Sequence, residues 1–187
     1  MIKYCSIVML LVMTSCASVP ENQRNKFNLS GRKGLYEKTK WSFLGRIAII
    51  DKNNAVSANI VWEHESESDA IELAGLFGLG RTKIVLTERR VEVSAEGKVY
   101  VETGEVNDII SAKLGVKVPF ESLKYWVLGV VDPAASYTQQ DYGFDQHGWK
   151  IRYLQMQEYN KAELMPRKMK VERGSAKIKL IVNQWDI

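Results

Sequence analysis

Ile71-Glu-Leu-Ala-Gly-Leu-Phe-Gly-Leu-Gly-Arg-Thr-Lys-Ile-Val-Leu86 sets the fold class of this chain. Ile71 and Leu73 on one side, and Ile84 and Leu86 on the other, alternate with Glu72, Lys83 and Thr87. A period of two marks half-buried strands. Between them, glycines at 75, 78 and 80 permit tight bends and break any helix or strand that tried to run through, so the segment predicts a hairpin. A hairpin tip faces water and usually carries Asn, Asp, Ser or Lys, yet this one offers Leu76, Phe77 and Leu79. Either those side chains fold back under the sheet, or they stay exposed to meet something apolar.

The same alternation extends in both directions. Trp41 to Ile50 reads as a strand in which Gly45 marks a bulge or bend, and Val56, Ala58, Ile60 and Trp62 form its hairpin partner after the turn residues 51–54. Val91 and Val93 pair with Val99 and Val101 across Glu96-Gly97. The period then changes: Val106, Ile109, Ile110 and Leu114 fall at helical spacing before Gly115. A second helix opens at Pro119, puts Phe120, Leu123 and Val127 on one stripe and stops at Gly129. Strands resume over Tyr137 to Phe144, through Trp149, Ile151 and Tyr153, over Met169 to Arg173, and finally through Ile178, Leu180 and Val182. Sequence-adjacent strands with one apolar face imply an antiparallel sheet that must cover that face, and two amphipathic helices inserted midway are placed to plug an open side. The expected class is mainly β with helices (α+β), an antiparallel barrel or half-barrel lined by Ile, Val, Leu and Trp.

At the amino terminus, Lys3 is followed by a nearly unbroken apolar run from Tyr4 to Met13, then Met13-Thr14-Ser15-Cys16. This is the pattern of a secretory signal peptide, too short for a spanning helix. Small residues before a cysteine match a bacterial lipobox, with Met where Leu is usual. Residues 1–15 are therefore expected to be removed and Cys16 to be acylated, leaving no cysteine for a disulfide. More than one acyl chain on Cys16 gives stable attachment without a membrane span. The resemblance of this start to Gram-negative lipoproteins implies the outer membrane, since Ala17 follows the cysteine where Asp commonly marks retention at the inner membrane. Residues 17–40 are rich in Asn, Gln, Lys, Arg and Gly and read as a solvated tether with one short helix, so 16–40 is the lipidated tether and 41–187 the domain. The net charge of +4 suits a surface near anionic lipid or an acidic partner and falls far short of a nucleic-acid footprint.

Chemistry-bearing motifs are sparse. The two histidines, His64 and His147, lack metal-ligand spacing, and no nucleophile elbow, phosphate loop or zinc-protease helix motif occurs. Glu63, Glu65, Glu67 and Asp69 read as a solvated turn. The expectation is a protein that is not an enzyme and that uses neither metal nor cofactor. Five tryptophans are more telling, because large rigid rings serve equally as core and as walls for an aliphatic ligand.

The lipobox, Gly45-Arg46-Ile47-Ala48-Ile49, the strand ending in Trp62, Gly78-Leu79-Gly80, Pro119-Phe-Glu-Ser-Leu-Lys-Tyr-Trp-Val-Leu-Gly129, Gly148-Trp149-Lys-Ile-Arg-Tyr153, Met165-Pro166 and Trp185 together resemble the LolB family. The likeness runs from about Trp41 to the end; the tether matches poorly, and the loop lacks the proline the family tends to have before its leucine. The resemblance implies a monomeric, LolA/LolB-like half-open barrel with a helical lid, anchored in the periplasmic leaflet of the outer membrane. It implies a cavity for acyl chains, for which Trp62, Trp126, Trp149, Ile60, Ile151 and Leu123 are the candidate walls. It also implies that Leu79, with Phe77 and Leu76, forms a protruding loop that pushes cargo into the bilayer. The partners it implies are the periplasmic carrier LolA, lipoprotein cargo and outer-membrane lipid, with a structural envelope lipoprotein whose barrel is filled as the alternative.

Overall fold

The computed structural model describes residues 27–52, 55–75, 80–114, 118–160 and 163–187, with the side chains of 112–114 excepted. The expectations for the signal peptide, Cys16, Leu76, Phe77 and Leu79 lie outside the described residues. Eleven strands follow a short 3-10 helix, Lys33–Glu37. They are β1 (Lys40–Ile50), β2 (Ala55–Glu65), β3 (Ser68–Gly75), β4 (Arg81–Thr87), β5 (Arg90–Ala95), β6 (Lys98–Thr103), β7 (Tyr137–Gln140), β8 (Gly143–Gln146), β9 (Trp149–Asn160), β10 (Glu163–Arg173) and β11 (Ala176–Asp186). Helices α1 (Val106–Leu114) and α2 (Phe120–Leu128) interrupt them between β6 and β7.

All the strands join one antiparallel sheet in the order β6-β5-β4-β3-β2-β1-β11-β10-β9-β8-β7. Every pair of neighbours in the sheet is consecutive in sequence except β1 and β11, whose pairing brings the first and last strands together at the middle of the sheet. The edges, β6 and β7, do not pair, so the sheet is an unclosed barrel. The α1–α2 segment connects one edge to the other and covers the face between them.

Alternation decides which face that is. On β1, Trp41, Phe43, Ile47 and Ile49 are buried while Leu44 and Arg46 are exposed, and on β11 Ile178, Leu180 and Val182 are buried while Lys177, Lys179 and Ile181 are exposed. The buried set merges with the apolar stripes of both helices into one core. Gly45 carries the expected irregularity: the register with β11 shifts between Leu44 and Gly45, and a side chain there would sit on the Ile181 carbonyl.

Two strand expectations change in the structure. Tyr137 to Phe144 is a hairpin rather than one strand, because the chain turns at Asp141-Tyr142. Gly143 lies at φ 157° with its Cα against the Ile151 carbonyl, an approach that a Cβ would forbid. β10 begins at Glu163 rather than Met169, running through Pro166 where the ladder with β9 is shifted and an absent N–H costs nothing. The Pro166 carbonyl accepts a hydrogen bond from Trp185 Nε1 at 2.8 Å, fixing the last strand to the sheet.

Candidate functional site

α2 is held at both ends by partners that the chain supplies nearby. Proline at 119 suits the turn into the helix, and Asn107 Oδ1 on α1 accepts hydrogen bonds from the Phe120 and Glu121 N–H groups at 2.7 and 3.4 Å. A side chain of one helix thus caps the other. At the far end Gly129 takes the left-handed conformation at φ 81°. Its N–H bonds to the Trp126 carbonyl, while Val130 N–H bonds to Tyr125, a Schellman ending.

Between those ends α2 bridges two parts of the sheet. Its first residue, Phe120, stacks on Trp62 of β2 with centroids 5.0 Å apart. Near its last turn Trp126 lies 6.5 Å from Trp149 of β9 and donates through Nε1 to Gln146 Oε1 at 2.9 Å. Gln146 is buried and fully used: Oε1 also accepts from Asp132 N–H, and Nε2 donates to the Asp132 and Ala135 carbonyls. Tyr153 of β9 donates its hydroxyl to the Trp126 carbonyl at 2.7 Å, and burial pushes the phenol well above its usual pKa. On the other side Asp69, also buried, accepts from Trp62 Nε1 at 2.7 Å and meets His64 Nδ1 at 3.0 Å. The apolar face is therefore framed by polar groups that are satisfied internally.

The segment before β1 closes one flank. Phe27 stacks on Tyr153 at 4.2 Å, and Leu35 is buried at 2 % exposure. Arg32 reaches between α2 and β10, donating to the Leu128 and Leu164 carbonyls at 2.5 and 2.7 Å. Burial pulls the Arg32 pKa down from its usual value, against the opposing influence of Tyr153 and Glu163. Its guanidinium packs where a side chain at Gly129 would have to go. Tyr36 adds a hydrogen bond to the Val131 carbonyl at 2.9 Å. From Phe27 onward the expected tether holds its one short helix, Lys33–Glu37, and docks on the domain through Phe27, Arg32 and Leu35, while most of its other residues are exposed.

All six candidate wall residues are in this core. Ile60, Trp62, Leu123, Trp126, Trp149 and Ile151 are each at most 5 % exposed. Within the core Trp62 packs against Phe120 at the start of α2, and Trp126 against Trp149 near its end. Their side chains lie in the core shared by the sheet and the helices. A cleft beside α2 runs between Asp69, Leu86, Val106, Phe120 and Lys124, and its volume is about 260 Å³. A second, of about 270 Å³, lies beside Arg32, Tyr36 and Val131. Both are smaller than the roughly 300–1,000 Å³ of ordinary ligand pockets.

Sequence reasoning missed Gln146, Asp69, Arg32 and Phe27. Gln146 and Asp69 are polar residues in or beside turns, which sequence assigns to water. Arg32 lies in a stretch of mixed polar composition, and only a flanking Phe27 and Leu35 hinted that it docks.

The chain matches the family model described as outer membrane lipoprotein LolB over residues 39–185. An outer-membrane lipoprotein LolB of Chromohalobacter salexigens is 28% identical over 98% of this chain and 90% of that one. Those of Shewanella denitrificans and Francisella tularensis are each 26% identical over 97% of this chain, covering 91% and 92% of the relatives. Among solved structures, a LolA superfamily protein from Nitrosomonas europaea superposes with a TM-score of 0.49 and 8% identity, over 79% of this chain and 86% of that one.

Proposed function

The chain belongs to the LolB family of outer membrane lipoproteins, and from that premise we propose that it receives lipoproteins from the periplasmic carrier LolA and inserts them into the outer membrane. The observation that supports this most directly is the continuous apolar face of the open sheet, covered by two helices that are tied to it through a small number of side chains. Cargo acyl chains replace the α1–α2 contacts on that face. Ile60, Trp62, Leu123, Trp126, Trp149 and Ile151 become their walls. Cys16 carries the lipid that holds the protein at the periplasmic leaflet, and the loop bearing Leu76, Phe77 and Leu79 delivers cargo to the bilayer.

The physical need is plain. Each buried methylene is worth about 0.8 kcal/mol, so an acyl chain of about 16 carbons is held by on the order of 10 kcal/mol and does not leave through water at a useful rate. Passing between sheltered apolar faces avoids that barrier, and tighter binding at each station drives the transfer without a nucleotide.

A labelled lipoprotein presented on LolA tests the proposal. The Cys16→Ala chain is expected to accept it in solution, and Leu79→Glu to accept it normally but fail to deliver it to liposomes. Delivery at the ordinary rate by Leu79→Glu removes the loop from the mechanism. The close packing of the six wall residues favours one rival, a filled barrel that scaffolds envelope partners, and failure to take up any acylated cargo would establish it.

A further inference from the structure

The outer face of the sheet, opposite the helices, has its charge sorted along the strands. Where β1, β11, β10 and β9 run side by side, register places Arg46 beside Ile181 and Ile181 beside Lys168, then Lys179 beside Lys170, then Lys177 beside Glu172 and Glu172 beside Lys150. With Arg152 beside Lys170, three consecutive outward rows of these strands carry seven basic residues and one acid, Arg152 being paired with Asp145 of β8 at 2.6 Å. That acid, Glu172, is shared between Lys170 at 2.8 Å and Lys177 at 3.8 Å. Among the described residues Arg46, Lys168 and Lys179 form no ion pair, and all three are exposed. Exposed Ile181 and Leu154 stand among them. Toward the other end of the strands the balance reverses, with Glu63, Glu65 and Asp186 exposed on β1's neighbours and Lys40 the cation beside them.

The basic end is also the end from which the 75–80 connection leaves the sheet. Gly75 pairs with Ala58, and Ala58 with Ile47, so β3 ends, and β4 begins at Arg81, beside the rows that hold Arg46 and Lys179. The chain also enters the domain on this half. Phe27 stacks on Tyr153, which faces Met169 in the row between Lys168 and Lys170. At about 3.3–3.6 Å per residue, the chain from Cys16 to Phe27 spans no more than about 40 Å. An anchor at Cys16 thus keeps this end within reach of the bilayer.

We propose that the outward face of β1, β11, β10 and β9, at the end carrying Arg46, Lys168, Lys170, Lys177, Lys179 and Lys150, docks on the anionic headgroups of a lipid bilayer. The site rests on the reading of the chain as a membrane-delivering protein and gives that reading an orientation. Cations over an anionic surface attract at short range and are screened by salt, while Ile181 and Leu154 add apolar contact at the headgroup level. Docking through this end points the acidic end of the strands away from the membrane.

Flotation of the Cys16→Ala chain with vesicles, without cargo, tests the site separately from transfer. Vesicles of phosphatidylethanolamine with phosphatidylglycerol are expected to bind, vesicles of phosphatidylcholine alone to bind at least about tenfold less, and added salt to abolish the difference. The Arg46→Gln, Lys168→Gln, Lys179→Gln variant is expected to lose about tenfold or more of the binding. Lys83→Gln with Arg90→Gln, on β4 and β5, is expected to lose none; thermal unfolding confirms that both variants are folded. Equal binding to the two vesicle types, or undiminished binding by the triple variant, overturns the site. Absence of vesicle binding with slower uptake from the carrier in the triple variant also overturns it and assigns the patch to an acidic protein. Cargo uptake in solution, measured without vesicles, reports on the transfer reading alone.

Discussion

Arg32 shows how much can hang on one side chain. It joins the amino-terminal segment to α2 and β10 through two carbonyls, in a space that exists because residue 129 has no Cβ. Arg32→Met keeps the apolar stem and removes the charge-assisted bonds, so a loss of about 2–3 kcal/mol in denaturant unfolding is expected. Gly129→Ala forces a left-handed residue against the guanidinium, with an expected cost of about 1–3 kcal/mol. If both changes act through the same contact, the double variant will lose less than the sum. Trp126→Ala is expected to cost about 3–5 kcal/mol, as it empties a fully buried site and leaves Gln146 short of a donor. At this scale the sequence was legible wherever alternation applied: Trp62, Trp126 and Trp149 are buried as their spacing suggests. It was mute on Gln146 and misplaced Asp69 in a solvated turn, since the burial of both depends on partners distant in sequence or across a turn.

At the scale of elements, the joint between α2 and the β8–β9 hairpin carries a titratable contact. Asp132 follows α2 and accepts from Ala134 N–H at 2.9 Å, Ser122 Oγ at 2.7 Å and His147 Nε2 at 3.3 Å. Burial alone would raise its pKa, but these hydrogen bonds and the neighbouring imidazole together bring it below the ordinary carboxylate value. A depressed pKa in the folded state stabilises above the unfolded value, near 3.8, and that stabilisation is lost as pH falls through the folded value. Thermal unfolding of Asp132→Asn between pH 6 and about 3 is expected to show a shallower acid decline than the parent; identical slopes would contradict the assignment. Pro119 and Gly129 made α2 readable to the residue, because both ends are fixed by local backbone chemistry. The β7–β8 turn was not readable, since Gly143 answers to the Ile151 carbonyl on another strand.

For the whole molecule, the open sheet with a helical cover was foreseeable from a run of alternating strands broken once by helical spacing. The packed state of the inner face was not, because the same Ile, Val and Trp pattern suits a filled core and a greasy cavity alike. On the function proposed above, cargo has to supply the apolar area that α1 and α2 give up. Quenching of tryptophan emission by a lipoprotein carrying brominated acyl chains measures this directly. In a Cys16→Ala chain with Trp41→Phe and Trp185→Phe, only Trp62, Trp126 and Trp149 emit, and all three lie on the covered face. Transfer of brominated cargo from the carrier is expected to quench them, with the unbrominated cargo leaving emission undiminished. Cargo that binds without quenching any of the three would contradict the account.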